Sequence, residues 1–260
     1  VEIMFGDFIM LGADQILNHL LKYKWMYNNR VDPDVIIRTP MGGRRGYGPT
    51  HSQSLEPILA SMPNLRLISP THYHNPGKIL EYATIYDAGI KIFCEYKMNY
   101  PKELLDASSC PDGLSLKYSN GEYPIVYLSN SDFEDPEILF ISHGGNCILI
   151  ERIMIKLLIE EELNIQASFP AIIKPLDDIK EIIRGAHNCE IIIILEESSK
   201  SFGWGAEIAA KLAEGNLINR KKILRIGMDE NPIPSSALLE KKLLPSLDSV
   251  INQIRELKNS

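Results

Sequence analysis

The residues with the most chemical potential lie in one stretch, Met41-Gly42-Gly43-Arg44-Arg45-Gly46-Tyr47-Gly48-Pro49-Thr50-His51-Ser52-Gln53-Ser54-Leu55-Glu56. Four glycines within eight residues let the backbone turn tightly and approach another molecule closely, because no Cβ intervenes. His51 carries an imidazole, a group that titrates near neutral pH and can take or give a proton. Arg44, Arg45 and, upstream, Arg38 could each grip a carboxylate or phosphate through paired hydrogen bonds. Ser52-Gln53-Ser54 ahead of 55–60 reads as a polar cap leading into a short helix. The loop is therefore expected to deliver His51 to a helix start, where negative charge is stabilised. A surface loop whose glycines merely serve turns accounts for the same composition.

Other candidates are weaker. His72 and His74 have a spacing that would place both on one face of a strand, where they could bind a metal. No third ligand is apparent, and a polar turn before a helix is the better account of the pair. His143-Gly144-Gly145-Asn146 resembles a phosphate-cradling turn but lacks the full glycine pattern, and a tight strand-to-helix connection also fits. Glu196 and Glu197 follow a very apolar run and could do acid–base work in a cleft; a solvated loop or subunit contact is the alternative. Gly-x-Ser-x-Gly is absent, so no serine nucleophile is indicated. Cys94, Cys110, Cys147 and Cys189 form no CxxC pair, which argues against a zinc or redox motif and fits a reducing, cytoplasmic setting.

The elements that must position these groups alternate. Residues 1–5 read as a strand, 7–25 as a helix with Asp7 as its N-cap, and Asn28-Asn29 as its stop. The β-branched run 35–37 reads as a buried strand entering the Gly-rich loop, which places that loop at a strand's carboxyl end, where open α/β sheets bind ligands. Strand 65–68, a helix from Pro76 to about residue 86 and strand 90–94 follow. Residues 97–135, punctuated by Pro101, Pro111, Gly113, Gly121 and Pro124, read as an irregular linker. A second alternation then runs through strand 138–141, helix 146–161, a strand within 165–173, a short helix 177–184, strand 191–195 as the central strand, helix 205–213, strand 223–226 and helix 247–257. The fold class is α/β, two open and mostly parallel sheets joined by a linker.

Composition limits the functions available. The 260 residues carry a net charge of −7, which disfavours nucleic acid or an anionic membrane as the main partner. No apolar run is long enough to span a bilayer. The chain begins without Met in what reads as mid-strand and is expected to be a piece of something longer.

Tyr47-Gly48-Pro49-Thr50-His51-Ser52-Gln53-Ser54-Leu55-Glu56 followed by Met62-Pro63-Asn64-Leu65-Arg66-Leu67-Ile68-Ser69-Pro70 resembles the beta subunit of thiamine-diphosphate-dependent 2-oxo acid dehydrogenases, within the transketolase-like superfamily. So do Glu2-Ile3-Met4-Phe5-Gly6-Asp7-Phe8-Ile9 with Asp14-Gln15, Ile37-Arg38-Thr39-Pro40, Gly203-Trp204-Gly205-Ala206-Glu207-Ile208-Ala209-Ala210, Ile233-Pro234-Ser235-Ser236-Ala237-Leu238-Leu239-Glu240-Lys241 and Leu244-Pro245-Ser246-Leu247. The resemblance implies a truncated transketolase-like pyrimidine-binding domain over 1–97, a linker over 98–135 and a transketolase C-terminal-like domain over 136–260. It implies thiamine diphosphate as cofactor, with Mg2+ and the diphosphate held by an alpha-type partner chain or domain, because the Gly-Asp-Gly…Asn-Asn segment that holds them is not in this sequence. The family's active-site histidine maps onto His51, and its pyrimidine contacts onto Met4 and Phe8. Its cofactor-activating glutamate would lie upstream of residue 1. No metal ligand is expected from this chain, and Glu196, Glu197 and Trp204 are expected in structural or interface roles.

The implied activity is decarboxylation of a 2-oxo acid with acyl transfer to a lipoyl acceptor. It would require the alpha partner and beta–beta contacts through the C-terminal domain, with a lipoyl-bearing acyltransferase as a further expected partner. The 260 residues alone are expected to be inactive and to bind little cofactor. A transketolase-like ketol transferase and a non-catalytic scaffold of the same fold are the alternatives.

Overall fold

The computed structural model describes residues 1–130 and 136–259, and two sheets organise them. The chain start pairs beside the first strand: the Val1 ammonium donates to the Ile36 carbonyl at 2.8 Å, and Glu2 forms a single parallel bridge with Arg38. This is one bridge rather than the expected strand. A helical run of mixed pitch follows, with 3-10 turns over Gly6–Gly12, a π segment over Gln15–His19, a further 3-10 turn over Leu20–Lys22 and α1 (Tyr23–Met26). Asp7 does not cap it. Phe5 is the N-cap residue, without a side-chain bond, and the Asp7 carboxylate turns instead toward Gln53. Asn28 and Asn29 end the run in the left-handed region (φ 52° and 59°), which Asn tolerates better than most residues.

The first sheet has the order β1 (Val35–Met41), β3 (Ile90–Tyr96), β2 (Leu65–Ile68), β8 (Ile172–Lys174), the first three parallel and β8 antiparallel. Helices α2 (Glu56–Ala60) and α3 (Pro76–Ile85) connect its parallel strands. Pro76 opens α3, where its missing N–H costs nothing, and the Asn75 side chain caps the Lys78 amide at 3.0 Å.

The second sheet has the order β10 (Lys222–Met228), β9 (Ile191–Ser199), β6 (Ile138–Ile141), β7 (Ile165–Pro170), β5 (Ile125–Ser129), β4 (Ser115–Tyr118). Thus the segment expected to be an irregular linker supplies two antiparallel strands. Leu116, Val126 and Leu128 bury themselves in the core, and the prolines and glycines around them bound strands instead of breaking structure. The last part of that segment, 131–135, lies outside the described residues. β9 is buried along its length but sits one strand from the edge instead of at the centre. Helices α4 (Cys147–Glu161), α5 (Ile179–Ile182), α6 (Trp204–Glu214), α7 (Ala237–Leu243) and α8 (Leu247–Lys258) complete the fold. The sequence pattern did not indicate α7.

One core spans both sheets. Ile37, Met41, Leu67 and Ile92 of the first pack in the same cluster as Leu139 and Ile192 of the second and Trp204 and Ile208 of helix α6. Shared burial of this kind fixes the two sheets against each other, since each fully buried aliphatic side chain contributes about 1.5–3 kcal/mol. Among the described residues no helix is long and apolar enough to cross a membrane.

Candidate functional site

β1 is held against β3 through Met41, and the Gly-rich loop leaves from its carboxyl end. Gly42, Arg44, Gly46 and Gly48 all adopt positive φ, at 87°, 68°, 69° and 81°. A Cβ on Gly42 would stand 2.9 Å from the Tyr96 ring and 3.0 Å from Glu197 Oε1, so both conformation and space demand glycine there. The loop amides do not face solvent. Gly43 N–H donates to Glu197 Oε1 at 2.6 Å, while Arg44 and Gly46 N–H donate to the two oxygens of Glu240 at 2.8 Å each.

His51 closes the loop, with its N–H returning to the Gly48 carbonyl at 3.3 Å. Its half-buried ring meets Phe5 and Phe8 edge-on, with centroids 4.7 and 5.1 Å away. Nδ1 is hydrogen-bonded to Thr50 Oγ1 at 2.9 Å, and Nε2 makes no hydrogen bond among the described residues. Tyr47, half exposed, stacks edge-on with Phe5 at 6.2 Å, and Met4 just before it is 69% exposed. The Lys97 ammonium lies over the Phe5 and Tyr47 rings and donates to the His51 carbonyl at 2.5 Å. Burial lowers the pKa of that ammonium from its ordinary value. Asp7 Oδ1 accepts from both the backbone and side-chain N–H of Gln53, at 3.3 and 2.8 Å, pinning the far side of the loop to the first helical turn. The arrangement is an open aromatic wall carrying one imidazole. Such a wall can lie against a flat ring and exchange a proton with it or with a neighbouring group.

His51 does not sit at a helix start as expected. α2 begins five residues later, is only five residues long and has Leu55, without a side-chain bond, at its N-cap. Glu56 opens that helix and is almost wholly buried; Tyr96 Oη donates to its Oε1 at 2.5 Å. Burial drives the Glu56 pKa up to about 7, with Glu197 and Glu196 nearby acting in the same direction.

The arginines are spent internally. Arg44 Nε reaches Glu197 Oε2 at 3.0 Å and its Nη2 the Pro245 carbonyl at 2.9 Å; Arg38 pairs with Glu95 at 2.7 Å; Arg45 donates to the Lys97 carbonyl at 2.9 Å. His72 and His74 diverge. The His72 nitrogens face Cys147 Sγ at 3.2 Å and Glu151 Oε2 at 3.6 Å, whereas His74 Nδ1 accepts from the Thr71 amide and its Nε2 donates to the Pro124 carbonyl. Desolvation lowers the His74 pKa to about 4. Among the described residues no group of three or more His, Cys, Asp and Glu could hold a metal ion. His143 is buried between the Tyr96 and Trp204 rings with its pKa lowered to about 3 by desolvation. A Cβ on Gly144 would fall 2.3 Å from the Tyr96 ring, so the turn at 143–146 is packed by that ring and leaves no room for a phosphate.

Glu196 and Glu197, side by side on β9, have separate tasks. Glu196 accepts from Gly205 N–H at 3.0 Å and Ser198 Oγ at 2.7 Å, and burial raises its pKa; Glu197 binds the loop. Trp204 Nε1 donates to the Ile173 carbonyl at 2.9 Å. Phe5, Lys97 and Glu240 were not singled out as site residues from the sequence. Phe5 and Phe8, three apart at a helix start, were the available signal for the first of them.

Residues 1–103 match the family model described as transketolase, pyrimidine binding domain. The chain is 24% identical over 260 residues to acetoin:2,6-dichlorophenolindophenol oxidoreductase subunit beta of Cupriavidus necator, covering 98% of this chain and 72% of the relative. It is 25% identical to 2-oxoisovalerate dehydrogenase subunit beta of Bacillus subtilis, covering 98% and 75%. To the mitochondrial pyruvate dehydrogenase E1 component subunit beta of Saccharomyces cerevisiae it is 24% identical, covering 99% and 68%. A solved structure titled split gene transketolase, inactive beta4 tetramer, shares the fold, with a TM-score of 0.62, 17% identity and 97% and 73% of the two chains covered. The chain thus carries a transketolase-type pyrimidine-binding domain at its front and is similar, over nearly its whole length, to beta subunits of 2-oxo acid dehydrogenases.

Proposed function

We propose that this chain is the beta-type half of an enzyme that decarboxylates a 2-oxo acid and passes the acyl unit to a lipoyl acceptor. The observation that carries this is the open aromatic wall at the carboxyl end of β1, with Phe8 5.1 Å from a His51 ring whose Nε2 has no protein partner among the described residues. The wall fits a flat heteroaromatic ring, so Phe8 and the exposed Met4 would hold the pyrimidine of thiamine diphosphate. When bound, that cofactor supplies the nucleophile and electron sink for decarboxylation. His51 acts beside it as the catalytic acid–base group, donating from Nε2 to developing alkoxide charge or to the lipoyl sulfur. Thr50 at Nδ1 fixes the ring's orientation, and the edge-on Phe5 and Phe8 keep it from turning away.

The Mg2+ and the diphosphate are assigned to an alpha-type partner facing this wall. Leu11 and Trp25, 89% and 85% exposed on the helical run that begins beside Phe8, suit such an apolar protein contact. In the same proposal residues 1–97 form the pyrimidine-binding half, the C-terminal domain over 136–260 makes beta–beta contacts, and the assembly works in the cytoplasm beside a lipoyl-bearing acyltransferase. The test is reconstitution with an alpha-type chain, thiamine diphosphate and Mg2+, assayed against pyruvate, branched 2-oxo acids, acetoin and sugar phosphates. Turnover of a 2-oxo acid is expected. An assembled complex that acts only on sugar phosphates would make it a ketol transferase, and one inert to all four would make it a scaffold.

A further inference from the structure

Two carboxylates from the distant half of the sequence grip the Gly-rich loop by its backbone. Glu197, at the end of β9, and Glu240, in α7, are 3% and 1% exposed. A buried carboxylate is costly unless hydrogen-bonded, and here the loop amides satisfy both groups: Gly43 for Glu197, Arg44 and Gly46 for Glu240. Arg44 adds a 3.0 Å ion pair to Glu197. The glycine at 43 is part of the device, since a Cβ there would stand 2.8 Å from Glu240 Oε1. Only four residues separate Gly46 from His51, and the His51 amide turns back onto Gly48. A shift of the clamped segment is thereby carried to the imidazole.

We infer that Glu240, assisted by Glu197, is a positioning residue: the second domain sets the place of the His51 ring through the loop backbone. This rests on the acid–base role proposed for His51 and extends it to a domain expected mainly to build subunit contacts. Glu240→Gln keeps the side-chain volume but replaces one accepting oxygen by an amide that opposes a backbone N–H. Loss of such placement is expected to lower turnover by about tenfold to a hundredfold.

The test has two arms. In histidine-labelled protein, with the His51 signal assigned through His51→Gln, Glu240→Gln should shift the His51 ring resonances while those of buried His72, His74 and His143 stay in place. In the complex reconstituted with an alpha-type chain, the same variant should lose kcat with assembly and cofactor affinity retained. Unmoved His51 resonances in folded Glu240→Gln overturn the positioning role. Resonances that move while kcat holds would uphold positioning and remove His51 from the chemistry. Should Glu240→Gln fail to fold, hydrogen exchange on the unmodified protein decides: the Gly43, Arg44 and Gly46 amides should be strongly protected, and exchange at open-loop rates would overturn the inference.

Discussion

Replacing Glu56 by Gln should flatten the pH dependence of stability. The carboxyl is 1% exposed; Oε1 accepts the Tyr96 hydroxyl and Oε2 has no partner among the described residues. Burial is the largest cause of its raised pKa, from 4.5 to about 7, and Glu197 and Glu196 add to it against the Tyr96 bond, which lowers it. The folded state therefore prefers the neutral acid. The stability that this preference contributes is complete below the unfolded value of about 4.5, declines as pH rises and is gone above about 7. The gap between the two values corresponds to about 3 kcal/mol. Gln is the same size, carries no charge and can still accept from Tyr96. Urea unfolding followed by tryptophan fluorescence at pH 5 and pH 8 should show near-equal stability at the lower pH. At pH 8 the variant should be more stable by about 2–3 kcal/mol, which the gap predicts. Parallel stability curves for the two proteins between pH 5 and 8 would refute the reasoning.

His51→Ala in the reconstituted complex should reduce kcat by about 10²–10⁴-fold with assembly unchanged, the range for removing a general acid–base group. Gly144→Ala combines a φ of 58° with a Cβ 2.3 Å from the Tyr96 ring and should cost about 1–3 kcal/mol in thermal unfolding. Trp204→Phe deprives the buried Ile173 carbonyl of its 2.9 Å donor and should cost about 1–3 kcal/mol in the same measurement.

Where hydrophobic patterning alone decides structure, the sequence predicted it well. Runs such as 35–37, 65–68 and 138–141 became strands because their β-branched and apolar residues fill a sheet interior. The loop's position at a strand end followed directly. Failures came where a residue's partner is remote in sequence. Asp7 looked like a cap because Gln53 cannot be seen from position 7, and Arg44 looked available to a ligand because Glu197 lies 153 residues away. Strands β4 and β5 were hidden because their short alternation is flanked by turn residues that also mark linkers. His51 stands out in the sequence through its glycine setting, whereas the carboxylates that anchor that setting are silent in any local pattern.

The most direct test of the shared pocket is calorimetric titration of thiamine diphosphate, with Mg2+, into this chain, an alpha-type partner and the two together. Saturable binding should appear only in the assembled pair and weaken by about tenfold or more in Phe8→Ala, through loss of the ring contact. An assembled pair that binds with the same affinity after both Phe8→Ala and Met4→Ala would contradict the account.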